Sequence, residues 1–204
     1  MATPITDSEL EQRVKAQRHA SGGDRYDEVW DGVCVMSPQP NIEHQRMVTR
    51  LVVVLCEVIG PPPGGDVFPG VNLSDRAEGW EDNYRAPDVA AFLSGSRAQA
   101  FESHFLGPAD FLIEIISPSD KTREKIDFYS RLGARELLII DRYPWSLELY
   151  RHDSHELVLA GRSSLEISEI VASAILPLSF QLLAAGPRPQ IRITEIGGQR
   201  QWSV

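Results

Sequence analysis

Three side chains stand at spacings that hydrolytic chemistry can use. Asp88 lies in Arg85-Ala86-Pro87-Asp88-Val89. Glu114 interrupts the apolar run Phe111-Leu112-Ile113-Glu114-Ile115-Ile116, which continues into Ser117-Pro118-Ser119. Lys125 follows in Thr122-Arg123-Glu124-Lys125-Ile126-Asp127-Phe128-Tyr129. An ionised carboxylate in a buried strand is costly unless it is paired, so Glu114 demands a partner. Two acids and a nearby lysine are a minimal set for holding a divalent cation and activating a water. Carboxylate oxygens suit a hard ion such as Mg²⁺ or Mn²⁺. A lysine can position the water or stabilise developing charge.

Each residue also has a plainer reading. Asp88 can be a turn-capping aspartate near a strand end. Glu114 can be held by a salt bridge to an arginine such as Arg135. Lys125 can lay its stem on the core and expose its amine. The ordered combination is more specific than any one of them, because parallel strand ends followed by a helix bring the three to one sheet edge.

The elements that must position these residues follow from patterning. Thr6 or Ser8, with Glu9, is expected to cap a first helix running to about Arg18 and ending at Gly22-Gly23. Asp31-Gly32 between Tyr26–Trp30 and Val33–Met36 predicts a hairpin. Met47, Leu51, Val54, Leu55 and Val58 recur at helical spacing, predicting a helix over 42–59. Asp66–Leu73 and Tyr84–Leu93 read as strands, the second carrying Asp88. Ser74–Asn83 reads as a loop and Ser94–Gly107 as a polar connection. Asp110–Ile116 reads as a central strand, since its apolar run is nearly continuous. Pro118-Ser119-Asp120 offers a helix start, and Lys121–Leu132 reads as a helix stopped by Gly133. On that reading Lys125 lies two turns in, on the order of 9 Å along the axis. It shares a face with Phe128, Tyr129 and Leu132. Glu136–Asp141 reads as another buried strand, so 111–140 forms a strand–helix–strand crossover with parallel pairing. Leu147–Tyr150 and Glu156–Leu159 suggest a second hairpin, with His152 and His155 at the surface. Residues 167–183 mix a short strand with loop, and 187–204 reads as a polar tail or an extra strand.

The 204 residues suit one domain over 1–186 with a C-terminal extension over 187–204. The class is α/β, a mixed sheet flanked by helices. Cys34 and Cys56 lie in apolar stretches and read as buried free thiols, a disulfide staying open. No zinc-like spacing exists. The polar N-terminus carries no secretory signal. The longest apolar stretch, Leu51–Ile59, is too short to cross a bilayer. A cytoplasmic protein with no membrane partner is expected. The net charge of −9 counts against a broad, sequence-independent grip on nucleic acid. A nuclease stays compatible, because metal-binding acids make a site locally negative. Lys121, Arg123, Lys125, Arg131 and Arg135 read most simply as a solvated helix face.

The motifs Glu28-Val29-Trp30-Asp31-Gly32, Met36-Ser37-Pro38, His44 opening a helix, Arg85-Ala86-Pro87-Asp88-Val89, Glu114-Ile115-Ile116-Ser117-Pro118-Ser119, and Lys125-Ile126-Asp127-Phe128-Tyr129 with Gly133 and Ile139-Ile140-Asp141 resemble the Uma-type restriction-endonuclease family. That family belongs to the PD-(D/E)-x-K nuclease superfamily. The resemblance spans about four-fifths of the chain, residues 24–183. It implies a restriction-endonuclease-like fold, a central mixed sheet flanked by helices with the active site at one sheet edge. It maps the proline-aspartate onto Pro87-Asp88 and the second acid onto Glu114. The superfamily's lysine would fall at position 116, which is Ile116, so the resemblance implies that the helix supplies Lys125 instead. Glu28 matches a family acid near the hairpin, either close to the metal or at a strand edge. His44 matches a family histidine, contacting phosphate, assisting proton transfer or simply packing. The expected function is a metal-dependent endonuclease acting on DNA: Asp88, Glu114 and the Ile115 carbonyl hold Mg²⁺ or Mn²⁺, and Lys125 orients the attacking water. The alternative is a catalytically degenerate module of the same fold that binds a partner. A homodimer is expected only by analogy with nucleases that cut two strands.

Overall fold

The computed structural model describes residues 8–118, 121–186 and 188–204, with the side chains of residues 8–11 outside that description. Thr6, Ser119 and Asp120, read as helix-start residues, lie outside it, as do the side chains of Ser8 and Glu9. Helix α1 (Ser8–Ala20) precedes the hairpin β1 (Glu28–Trp30) and β2 (Val33–Val35). The long helix α2 (Ile42–Ile59) follows, then β3 (Gly65–Pro69), β4 (Asn72–Ser74), β5 (Tyr84–Arg85), β6 (Val89–Leu93), β7 (Gln99–Ala100), β8 (His104–Leu106) and β9 (Phe111–Ile115). Helix α3 (Ile126–Leu132) leads to β10 (Glu136–Arg142), β11 (Trp145–Asp153) and β12 (Glu156–Ser164). The chain closes with β13 (Val171–Ala172), β14 (Leu178–Leu183), β15 (Gln190–Glu195) and β16 (Gln201–Ser203).

The central sheet has the order β12-β11-β10-β9-β6-β3. It is mixed: β9 and β10 run parallel, Glu114 opposite Ile139, and the other pairs are antiparallel. The expected parallel crossover through α3 is therefore present. Strand β9 is apolar almost throughout because both of its faces are covered. Phe111, Ile113 and Ile115 face one core with Met47, Leu51, Val54 and Leu55 of α2 and with Phe180, Ile191 and Ile193 of the C-terminal sheet. Leu112 faces a second core with Phe128 and Tyr129 of α3, Leu137, Ile139 and Leu73. Each fully buried aliphatic side chain contributes about 1.5–3 kcal/mol.

Helix α2 matches its expected bounds. Asn41 caps it, accepting a hydrogen bond from the His44 N–H at 2.9 Å. The Asp31-Gly32 turn has both residues at positive φ, 48° and 83°, which fits the twist of a tight hairpin. Among the described residues no helix is long and apolar enough to cross a membrane.

Several local expectations are corrected. Residues 66–73 and 84–93 are not continuous strands. Each breaks and changes sheet: β3 and β6 belong to the central sheet, β4 and β5 to an outer sheet ordered β2-β1-β5-β4-β8-β7. Gly70, at φ 60°, turns the first break, and Ala86-Pro87-Asp88 forms the second. The two breaks lie side by side, the Gly70 N–H meeting the Asp88 carbonyl at 3.3 Å. The stretch 94–107 contains the short pair β7–β8 rather than plain connection. Helix 121–132 is a 3₁₀ segment over Thr122–Lys125 followed by α3. Both cysteines are free, and Cys56 is exposed rather than buried. Residues 190–203 form two strands of the C-terminal sheet, with Ile191 and Ile193 fully buried.

Candidate active site

Strand register brings the two acids together. Val89 pairs with Ile113 and Ala90 with Leu112. Asp88 immediately precedes β6, so this pairing places it beside the Glu114–Ile115 end of β9. The Asp88 carboxylate is fixed from two directions. Its Oδ2 accepts the Ile115 backbone N–H at 2.7 Å, and its Oδ1 meets His44 Nε2 at 2.7 Å. The capped first turn of α2 positions that imidazole. Within one strand residue N–H and C=O point the same way, so the Ile115 carbonyl also faces the Asp88 side.

Glu114 is 3% exposed. Lys125 Nζ lies 3.1 Å from its Oε1 and 3.4 Å from Oε2, and the Tyr129 hydroxyl donates to Oε1 at 2.6 Å. The same ammonium reaches Glu28 Oε1 at 2.7 Å. Glu28 comes from β1 in the outer sheet. Trp30 Nε1 and the Ala86 N–H hold it at 2.7 and 2.9 Å. The ammonium of Lys125 thus bridges two sheets. It stands at the junction of the 3₁₀ segment and α3 rather than two turns into a helix, and its amine is enclosed rather than exposed.

The electrostatics follow from this crowding. Burial pushes the Glu114 carboxyl up to about 8; Lys125 pulls it down, while Asp88 and Glu28 raise it further. Burial disfavours the Lys125 ammonium, but Glu114 and Glu28 outweigh that and hold its pKa above the ordinary lysine value. Burial and the same two carboxylates raise Tyr129 well above its ordinary value, so its hydroxyl stays protonated and donates. Glu28 and Glu114 thus share one ammonium in a poorly solvated corner, with the Asp88 charge nearby.

The other expected partnerships fall elsewhere. Arg135 pairs with Asp110 at 3.4 Å, not with Glu114. The cations of 121–135 form the expected solvated face only in part: Arg123, Arg131 and Arg135 are exposed, Arg123 also pairing with Glu148 and Asp141, whereas Lys121 is partly buried against Glu124 and Lys125 is enclosed. Tyr129, Trp30 and Arg85 complete the surroundings without having been singled out as site residues. Tyr129 carried a signal, since it follows Lys125 by four residues on one helical face. Arg85 is 4% exposed and lies between the Trp30 and Phe128 rings, at 4.4 and 4.3 Å. No local pattern announces that sandwich.

The family model Uma2, described as "Putative restriction endonuclease", matches residues 12–185. The chain belongs to this family. Its fold is shared with a solved protein described as "a putative nuclease belonging to DUF820" from Anabaena variabilis ATCC 29413, with a TM-score of 0.53 and 21% identity over 65% of this chain and 75% of that one. No curated protein matches the sequence. In this Uma2 chain, position 116 is turned to sheet pairing: the Ile116 N–H donates to the Ile140 carbonyl at 2.9 Å. Lys125 is the cation that meets the acids.

Among the described residues no three His, Cys, Asp or Glu groups already form a metal cage. The donor chemistry nevertheless fits a hard divalent ion. Two carboxylates at neighbouring strand ends and a backbone carbonyl would offer it oxygen donors. Burial first, and then the Asp88 and Glu28 charges, raise Glu114, and a bound cation would offset both.

Proposed function

We propose that this protein is a metal-dependent endonuclease that hydrolyses phosphodiester bonds in DNA. The observation that carries the reading is the Asp88 carboxylate bonded at the Glu114–Ile115 end of β9, with Lys125 held against Glu114 and Glu28. Asp88, Glu114 and the Ile115 carbonyl would hold Mg²⁺ or Mn²⁺. Such an ion supplies an acidified water and neutralises charge on the phosphate. His44 and the Ile115 N–H fix the orientation of Asp88. Tyr129 fixes Glu114, and Glu28 keeps Lys125 both charged and in place. The Lys125 ammonium holds the attacking water and stabilises charge developing on the phosphate oxygens. Because its carboxylate neighbours keep it protonated, it works as a cation rather than as a base.

The test is supercoiled plasmid incubated with pure protein and Mg²⁺ or Mn²⁺. We expect nicking and linearisation by the wild type and loss of both in the Asp88→Ala/Glu114→Ala variant. Equal background in the two proteins refutes the reading for DNA.

A second reading is a binding module that has kept the fold without the chemistry. The observation that favours it is that Lys125 and Tyr129 already occupy the Glu114 oxygens. Calorimetric titration with Mn²⁺ separates the two. Binding that disappears in Glu114→Gln supports the enzyme; no binding by the wild type supports the module.

A further inference from the structure

A cleft of about 250 Å³ opens beside the site, lined by Glu43, Arg142, Tyr143, Trp145, Arg188 and Pro189. Two features tie it to the candidate chemistry. Glu43 immediately precedes His44, the partner of Asp88. Arg142 reaches the Ile116 carbonyl at 3.4 Å and the Ser117 hydroxyl at 3.5 Å, at the end of the strand that carries Glu114. The cleft is therefore a continuation of the same sheet edge.

Its lining combines two recognition chemistries. Both guanidinium groups face a single carboxylate: Arg142 lies 3.4 Å and Arg188 3.1 Å from Glu43. Among the described residues the Arg142 side-chain hydrogen bonds are long, 3.4–3.5 Å, so a side chain only 1% exposed has geometrically weak partners there. Each arginine also lies over an aromatic ring, Arg142 by Tyr143 and Arg188 by Trp145, both at 5.7 Å. Tyr143 is 60% exposed, so its ring is open to a ligand. Paired guanidinium groups match phosphate, and open aromatic faces match nucleobases. The volume is below the roughly 300–1,000 Å³ of clefts that enclose drug-sized ligands. It suits one phosphate and part of one base.

We propose that this cleft binds the nucleotide next to the scissile phosphate, its phosphate taken by Arg142 and Arg188 and its base by the Tyr143 and Trp145 rings. This rests on the nuclease reading for its register, but not for its measurement. In the absence of ligand, Glu43 stands in for the phosphate by neutralising both arginines.

The experiment is fluorescence anisotropy with a fluorescein-labelled DNA oligonucleotide in EDTA, where cleavage plays no part. Arg188→Gln and Tyr143→Ala sit on partly exposed side chains and leave Arg142 in place to support the strand end. Each should weaken binding roughly tenfold. Arg188→Gln should also lower the slope of log affinity against log salt by about 1, which a merely structural role would not do. Glu43→Gln should act in the opposite direction and tighten binding several-fold by releasing the arginines. Unchanged affinity and salt slope in Arg188→Gln, or no binding by the wild type, overturns the proposal. If the variants weaken binding while the wild type cuts nothing, the cleft stands and the nuclease reading falls. If plasmid cleavage is robust and oligonucleotide affinity is indifferent to all three substitutions, the reverse holds.

Discussion

Lys125 is the side chain on which the corner's charge balance rests. Among the described residues it is the only cation in contact with Glu28 and Glu114, and both acids are nearly fully buried. Replacing one partner of a buried pair leaves the other charge uncompensated. In metal-free protein, Lys125→Met should cost about 3 kcal/mol in urea unfolding, with an unchanged midpoint excluding this role. The Glu114 carboxyl makes a pH prediction with a definite sign. Its folded value is raised from 4.5 to about 8. Between those values the folded state holds a proton that the unfolded chain has lost, so stability of the metal-free protein falls as pH rises through that window. Unfolding free energies measured from pH 5 to 8 should decline for the wild type, and Glu114→Gln should flatten the decline. The lysine does not disturb this trend, because both its folded and ordinary values lie above the window.

At the scale of elements, helix ends set the geometry of the site. Asn41 caps the turn that presents His44, so Asn41→Ala should cost about 1 kcal/mol and loosen the imidazole on Asp88. Gly133 ends α3 at φ 89°, and its N–H closes the helix on Tyr129 and Ser130. Gly133→Ala should cost about 1 kcal/mol from the left-handed backbone, and equilibrium unfolding of the two variants checks both values. Such ends were legible in the sequence because capping residues, turn glycines and helical periodicity are local signals. So were the hairpin at Asp31-Gly32, helix α2 and the crossover from β9 to β10. The two strand breaks are not legible in the sequence, because changing sheet is decided by pairing with distant strands. Gly70 and Pro87 were the available hints, a residue tolerant of positive φ and one lacking an N–H. The acids and Lys125 stood out by being charged in apolar surroundings. Trp30 and Arg85 did not, since their contacts join residues far apart in the chain. The 3₁₀ turn before α3 is not legible either, because the composition of Thr122–Lys125 suits either kind of helix.

Across the whole molecule, the site depends on three sheets keeping their relative places. The outer sheet brings Glu28 and Arg85, the central sheet brings Asp88 and Glu114, and the C-terminal sheet backs the central core from the opposite face. Glu136 ties the last two together. It is fully buried, bonded to Arg151 and the Ala174 N–H at 2.9 Å each and to the Ser173 hydroxyl. Residues 187–204 contribute Ile191, Ile193 and Val204 to the core that also contains Met47 and Ile115. We expect a chain shortened after residue 186 to lose its single cooperative thermal transition by circular dichroism. A sharp transition at the full-length midpoint would show that this segment is dispensable.

One bond at the site has a further use. The Ile115 amide hydrogen ends on a side-chain carboxylate instead of a neighbouring carbonyl. A proton in that position is a built-in spectroscopic reporter, because its resonance follows the charge borne by its acceptor. In a ¹H–¹⁵N spectrum its cross-peak should move when Mg²⁺ is added, and Asp88→Asn should shift it and blunt that response. Metal affinity can then be measured at a single backbone atom, without DNA and without turnover.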